Sequence, residues 1–189
     1  MIVIGLDPGT RHFGWGVVEK LGTRLFHRAH GIIHTSETDA LCDRLVVIEA
    51  GLVAAVEAHR PTAASVESIF FDKNVQSAVK LGHARGVALL VCARAGLSVA
   101  EYAPALVKRA VSGNGRAEKS QVAQMIRVVL GLATVPIADA ADALAVAVTH
   151  LQHSPLMGNN AGQRGSVARL KQSAQPSRPR GNIRGRSPV

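Results

Sequence analysis

The sequence predicts an α/β domain built on a mixed five-stranded sheet, its first three strands antiparallel and its flanks covered by helices. Three strand-like segments open the chain with no helix between them, which is how an antiparallel start reads. After them, stretches of helical periodicity alternate with two short apolar segments, the order that returns later strands parallel through right-handed crossovers.

Residues 2–6, IVIGL, are continuously apolar, as a strand covered on both faces must be, and the run ends at Asp7 before the turn signal Pro8-Gly9. GWGVVEK and TRLFHRAHGIIHT read as two further strands joined by a tight hairpin at Leu21-Gly22. Over residues 39–59, Leu41, Leu45, Ile48, Leu52, Val53 and Val56 recur at helical spacing, and Arg60-Pro61 stops the helix. ASVESI, residues 64–69, is the fourth strand, expected parallel to the first and bringing Glu67 near Asp7. A long helix over 74–95, a fifth strand LSVAEY at 97–102 and a short helix over 104–111 follow. The loop GNG leads to helices over 118–130 and 137–152. Past Pro155 the chain turns rich in Gly, Ser, Pro, Gln and Arg, with little to bury. The expected organisation is one domain over 1–155 and a basic, disordered tail over 156–189.

With 189 residues and 47% hydrophobic content the chain can bury one substantial core. Its net charge of +9 points to nucleic acid or an anionic surface. Residues 1–150 hold 15 basic against 13 acidic side chains, a balance of +2, so the excess sits in the tail. There Arg164, Arg169, Lys171, Arg178, Arg180, Arg184 and Arg186 can release counterions from any DNA, which makes binding salt-sensitive without reading sequence. MIVIGLDPGT lacks a basic leader and no run reaches a membrane span, so a soluble, cytoplasmic protein is expected. Cys42 and Cys92 form no Cys-x-x-Cys pair and read as small buried hydrophobes. His27, His30 and His34 come without HExxH spacing or cysteine partners, and a half-exposed polar strand accounts for them.

The acids carry the chemistry. Asp139 and Asp142, three residues apart on an alanine-rich helix, project about 60° apart and can address one point. A capping arrangement at the helix N-terminus is the competing explanation. Asp7 and Glu67 weaken it, because each ends or interrupts an apolar strand and a buried carboxylate costs several kcal/mol unless paired or metal-bound. No Lys or Arg lies in either strand. Four converging carboxylates repel one another, two divalent cations balance them, and an all-oxygen donor set selects Mg²⁺ or Mn²⁺ over zinc. The turn GLDPGT also looks like the phosphate loop of actin-like ATPases and sugar kinases, but the chain has neither a second such turn nor the length for two facing domains. Residue chemistry alone thus reaches a metal-dependent enzyme acting on phosphate.

IGLDPGTRHFGWGVVE, VESIFFDKNVQSAVKLGHARGV, AEKSQV and DAADALAVAVTH together resemble the RuvC-type Holliday junction resolvases, with the ribonuclease H-like fold, over roughly residues 1–153. The resemblance implies a nuclease that resolves junctions in recombination and repair by paired symmetric nicks, leaving 5′-phosphate and 3′-hydroxyl ends. Its metal acids map onto Asp7, the bridging ligand, with Glu67, Asp139 and Asp142, around two Mg²⁺ that Mn²⁺ may replace. Lys108 and Lys119 match lysines beside the cleaved strand, where an ammonium offsets developing charge. Glu118, just before Lys119, would serve its helix's dipole. Phe70 matches an aromatic that stacks on an unpaired base at the junction centre, with Phe71 beside it packing inward. Lys73, Asn74 and Lys80 are placed to touch DNA backbone; Asp72 has no explanation. Gly82 and Gly86 each cost a helix about 1 kcal/mol relative to alanine, which suggests close backbone approach. The family forms its two-fold dimer here, making Ala78, Leu81, Gly82, Arg85 and Leu89 candidate contacts, and the RuvA–RuvB branch-migration complex is the implied partner. A non-catalytic junction-binding module, or a nuclease of the same fold for another substrate such as an RNA–DNA hybrid, are the alternatives.

Overall fold

The computed structural model describes residues 1–68 and 75–154, with the side chains of 75–77 left aside. Strands β1 (Ile2–Asp7), β2 (His12–Leu21) and β3 (Arg24–His34) precede helix α1 (Leu41–His59) and strand β4 (Ala63–Glu67). Then come α2 (Val75–Arg94), β5 (Ser98–Tyr102), α3 (Pro104–Ser112), α4 (Lys119–Val129) and α5 (Ala138–His153). The sheet order is β3-β2-β1-β4-β5. β1–β2 and β2–β3 are antiparallel, whereas β4 runs parallel to both β1 and β5.

The apolar run at β1 is continuous because both faces of the sheet are covered. Val3 packs with α3, α4 and α5 on one side, while Ile4 and Leu6 pack with α1 and α2 on the other. Gly22 turns the β2–β3 hairpin at a φ of 59°, a conformation that favours glycine. α1 begins two residues later than its periodicity suggests and ends at Arg60, which takes the left-handed conformation and donates its backbone N–H to the Val56 carbonyl. Cys92 is buried as expected, but Cys42 is not: it lies exposed in the first turn of α1. No helix among the described residues is long and apolar enough to cross a membrane. Residues 156–189, expected as a tail, lie outside the described residues.

The fit of α5 against the sheet decides where the site forms. Gly5, Gly14 and Gly16 stand under it where larger side chains would not fit. A Cβ at Gly5 would collide with the Ala143 carbonyl and lie 2.8 Å from the Ala147 nitrogen; one at Gly14 would collide with the Asp139 carbonyl; one at Gly16 would lie 2.7 Å from Leu144 Cγ. Ala143 and Ala147 of α5 answer the gap at Gly5, and both are buried. The far end of the helix is held by Lys20, whose ammonium donates to the Leu151 carbonyl at 2.6 Å, and by the Tyr102 hydroxyl, hydrogen-bonded to His150 Nδ1 at 2.8 Å.

Candidate active site

Asp7 closes β1 and Glu67 closes β4, and the two strands are parallel with Leu6 opposite Val66, so both acids emerge at the same end of the sheet. On its other side Asp7 pairs with Gly14, the residue against which the Asp139 backbone rests. The first turns of α5 therefore cross the mouth of β1. Asp139 does not cap this helix: Ile137 is its N-cap and no side-chain bond closes the turn. That removes the capping explanation for the acid pair.

The electrostatics of the four acids are shared. The Asp7 carboxyl is pushed up to about 7, by burial first and then by Asp142, Asp139 and Glu67, with Lys119 opposing. Burial and then Asp142 likewise raise Glu67, against the pull of Lys119 and Lys108. Lys119 Nζ donates to Asp142 Oδ2 at 2.7 Å, and that bond holds the ammonium above its ordinary range. A cation is thus already drawn to the cluster.

Beside the acids opens a cavity of about 190 Å³, with Glu67, Asp142, Lys108 and Lys119 as its polar wall and Pro104, Val107, Val122 and Ala145 as its apolar one. The two lysines arrive from different helices: Lys108 from the middle of α3, Lys119 from the first residue of α4. Glu118 is the N-cap of α4 but makes no side-chain cap bond.

The donor set suits a hard divalent cation: four carboxylates and no sulfur, with one of them, Asp7, raised first by burial and then by the charges of its neighbours. Among the described residues no three His, Cys, Asp or Glu side chains are drawn into a ligand cage, and Asp142 is turned to the Lys119 ammonium. Asp7, Glu67, Asp139 and Asp142 are the residues that would hold the ions.

Other expected contacts divide. Lys80 is exposed on α2; Phe70, Lys73 and Asn74, with Phe71 and Asp72, lie outside the described residues. On α2, Gly82 is exposed, while Ala78, Leu81, Arg85 and Leu89 are half-buried. The Arg85 guanidinium is engaged within its own chain: Nη1 donates to the Glu67 carbonyl and Nη2 pairs with Glu101. Among the described residues a Cβ at Gly82 or Gly86 would meet nothing within 4 Å, so no described contact explains these glycines. Sequence reading passed over Gly5, Gly14 and Gly16, although glycines inside strands signal close backbone approach and Gly14 and Gly16 share one strand face.

The family model described as crossover junction endodeoxyribonuclease RuvC matches residues 3–150. The crossover junction endodeoxyribonuclease RuvC of Sorangium cellulosum is 51% identical over 180 residues, covering 95% of this chain and 99% of the relative. That of Azorhizobium caulinodans is 54% identical over 151 residues, covering 80% and 89%. Among solved structures, T. thermophilus RuvC in complex with Holliday junction substrate superposes with a TM-score of 0.76 at 38% identity, covering 80% of this chain and 93% of that one. The yeast mitochondrial Holliday junction resolvase Ydc2, 11% identical with a TM-score of 0.56 and coverage of 78% and 76%, shares the fold.

Proposed function

The chain belongs to the crossover junction endodeoxyribonuclease RuvC family, and from that premise we propose that the acid-lined end of its sheet resolves Holliday junctions by Mg²⁺-dependent phosphodiester hydrolysis. The observation that carries this reading is the convergence of Asp7, Glu67, Asp139 and Asp142 into one electrostatic pocket from three separate elements. Two divalent cations held there would lower the pKa of an attacking water and stabilise the departing 3′ oxygen, leaving a 5′ phosphate. The protein's part is to hold four charges where solvent is partly excluded and to present two ammonium groups beside them. Lys119 is placed to exchange Asp142 for a phosphate oxygen, and Lys108, on the same cavity wall, to hold the cleaved strand. Phe70, Lys73, Asn74 and Lys80 are the proposed DNA contacts on sequence grounds, with Phe70 stacking on an unpaired base.

A nicking assay on end-labelled four-way junction, linear duplex and RNA–DNA hybrid, with Mg²⁺ or EDTA, tests this. Symmetric nicks in the junction alone, dependent on Mg²⁺, are expected. Tight junction binding without nicks would favour the non-catalytic module; cleavage of the hybrid would move the substrate.

A four-way junction offers two equivalent strands, which a two-fold dimer suits. The proposed contact is α2, where Val79 and Leu90 are exposed apolar residues and Gly82 and Gly86 lie between them with open space above. At offsets of 3, 7 and 11 from Val79 these four share one helical face. Sedimentation velocity at micromolar concentration is expected to give a dimer, and a monomer throughout would remove this contact. By family membership the RuvA–RuvB complex is the proposed partner and the bacterial cytoplasm the proposed compartment.

A further inference from the structure

Arg85 carries a charge that is largely withdrawn from solvent. Its side chain is 11% exposed, and it stands next to Ala84 and one turn from Ala88, both buried. Taking a guanidinium out of water is costly unless its donors are all met by fixed partners. Here they join three elements: Nη1 donates to the Glu67 carbonyl at 2.8 Å, and Nη2 lies 2.6 Å from Glu101 Oε1 on β5. The position of that carbonyl gives the contact its meaning. Pairing between β1 and β4 ends at Leu6↔Val66, so the Glu67 peptide lies past the last rung on that side, held on the other by Tyr102. The next backbone bond, from Ser68 N–H to the Tyr102 carbonyl, belongs to the β5 side as well. Without Arg85, the peptide carrying Glu67 would be fixed from one edge only.

We propose that Arg85 is a positioning residue for Glu67, setting the direction of that carboxylate towards Asp7 and Asp142 by clamping its own peptide to α2 and β5. This rests on the reading of the four acids as a metal centre. The planar fork of arginine can reach two acceptors in different directions from one rigid group, whereas a lysine at this position keeps the charge but satisfies one acceptor at a time. Partners that orient a metal ligand are typically worth about 10- to 100-fold in metal affinity or activity. The clamp also makes the acid sensitive to any shift of α2, since a rigid pair of bonds transmits it to the end of β4.

The test uses the full chain and Mn²⁺ as probe, with binding followed by electron paramagnetic resonance in the absence of DNA, alongside thermal melting and junction affinity in EDTA. Arg85→Lys is expected to weaken Mn²⁺ binding about tenfold and to raise by a similar factor the Mg²⁺ needed for half-maximal nicking, while junction affinity without metal stays within about twofold. Glu101→Gln, which keeps an acceptor for Nη2, is expected to stay within about threefold of wild type. Arg85→Lys that binds Mn²⁺ like wild type, while Glu67→Gln does not, overturns the role of Arg85 alone. Mn²⁺ binding that is indifferent to Glu67→Gln overturns the metal-centre reading and this role with it. Should Arg85→Lys not fold, Glu101→Ala carries the test from the exposed side of the pair: a drop in Mn²⁺ affinity of about tenfold supports the clamp, and a change within about threefold overturns it.

Discussion

Asp7→Asn is expected to reduce junction nicking in Mg²⁺ by at least about a thousandfold, the rate equivalent of several kcal/mol of lost charge stabilisation, while junction binding in EDTA stays near wild type. Retention of near-normal nicking would remove Asp7 from the reaction. The same substitution has a second consequence of opposite sign, in the stability of the metal-free protein. The Asp7 carboxyl titrates near 3.8 in an ordinary setting and about 7 in this fold, with burial the largest cause and Asp142 next. A raised folded pKa means that its contribution to stability is fully present below about pH 4 and is lost as pH rises through about 7. Above that, the ionised carboxylate costs the metal-free fold on the order of a few kcal/mol. Asparagine does not ionise. Asp7→Asn should therefore raise the unfolding midpoint in EDTA at pH 8 and leave it nearly unchanged at pH 4. An equal effect at both pH values would mean that Asp7 is not crowded by its neighbours.

Gly5→Ala is expected to cost about 3 kcal/mol or more of stability, read by urea denaturation, because the added methyl meets backbone on α5 rather than a side chain that can rotate away. The Ala143 carbonyl and Ala147 nitrogen belong to a helix held at its far end by Lys20, so the helix cannot slide freely to make room. It must lift, and Asp139 and Asp142 lift with it. Nicking per folded molecule should fall as well, since the two acids then stand farther from Asp7. A loss below about 1 kcal/mol would show that α5 does not rest on β1 as closely as it does here.

The strands and helices were legible because their signals are local. The unbroken apolar run of β1, the hairpin signal at Leu21-Gly22, and the helical spacing of α1 each depend on neighbours a few residues away. Asp7 at the end of that run was legible for the same reason, as a charge where burial would be costly. Asp139 and Asp142 were ambiguous in isolation, because a helix N-terminus also favours acids. The structure removes side-chain capping by making Ile137 the N-cap, leaves Asp139 in the first turn where the helix dipole favours it, and sets the Asp139 backbone over the sheet at Gly14. Arg85 shows the opposite case: resemblance alone made it a candidate for contact with a second copy, and no local signal announced the bonds its guanidinium makes to Glu67 and Glu101 of its own chain.

By itself the sequence marked Asp7, Glu67, Asp139 and Asp142 as charges that packing alone does not explain, and predicted a mixed sheet with three antiparallel strands first. Only the tertiary structure decided that Gly5, Gly14 and Gly16 form the bed of α5, that Lys119 stands on Asp142, and that Arg85 holds the Glu67 peptide. The physical reason is range. Periodicity and burial cost are written in adjacent residues, whereas steric fit and ion pairing act between atoms that meet only after the sheet has closed and the helix has been laid across it.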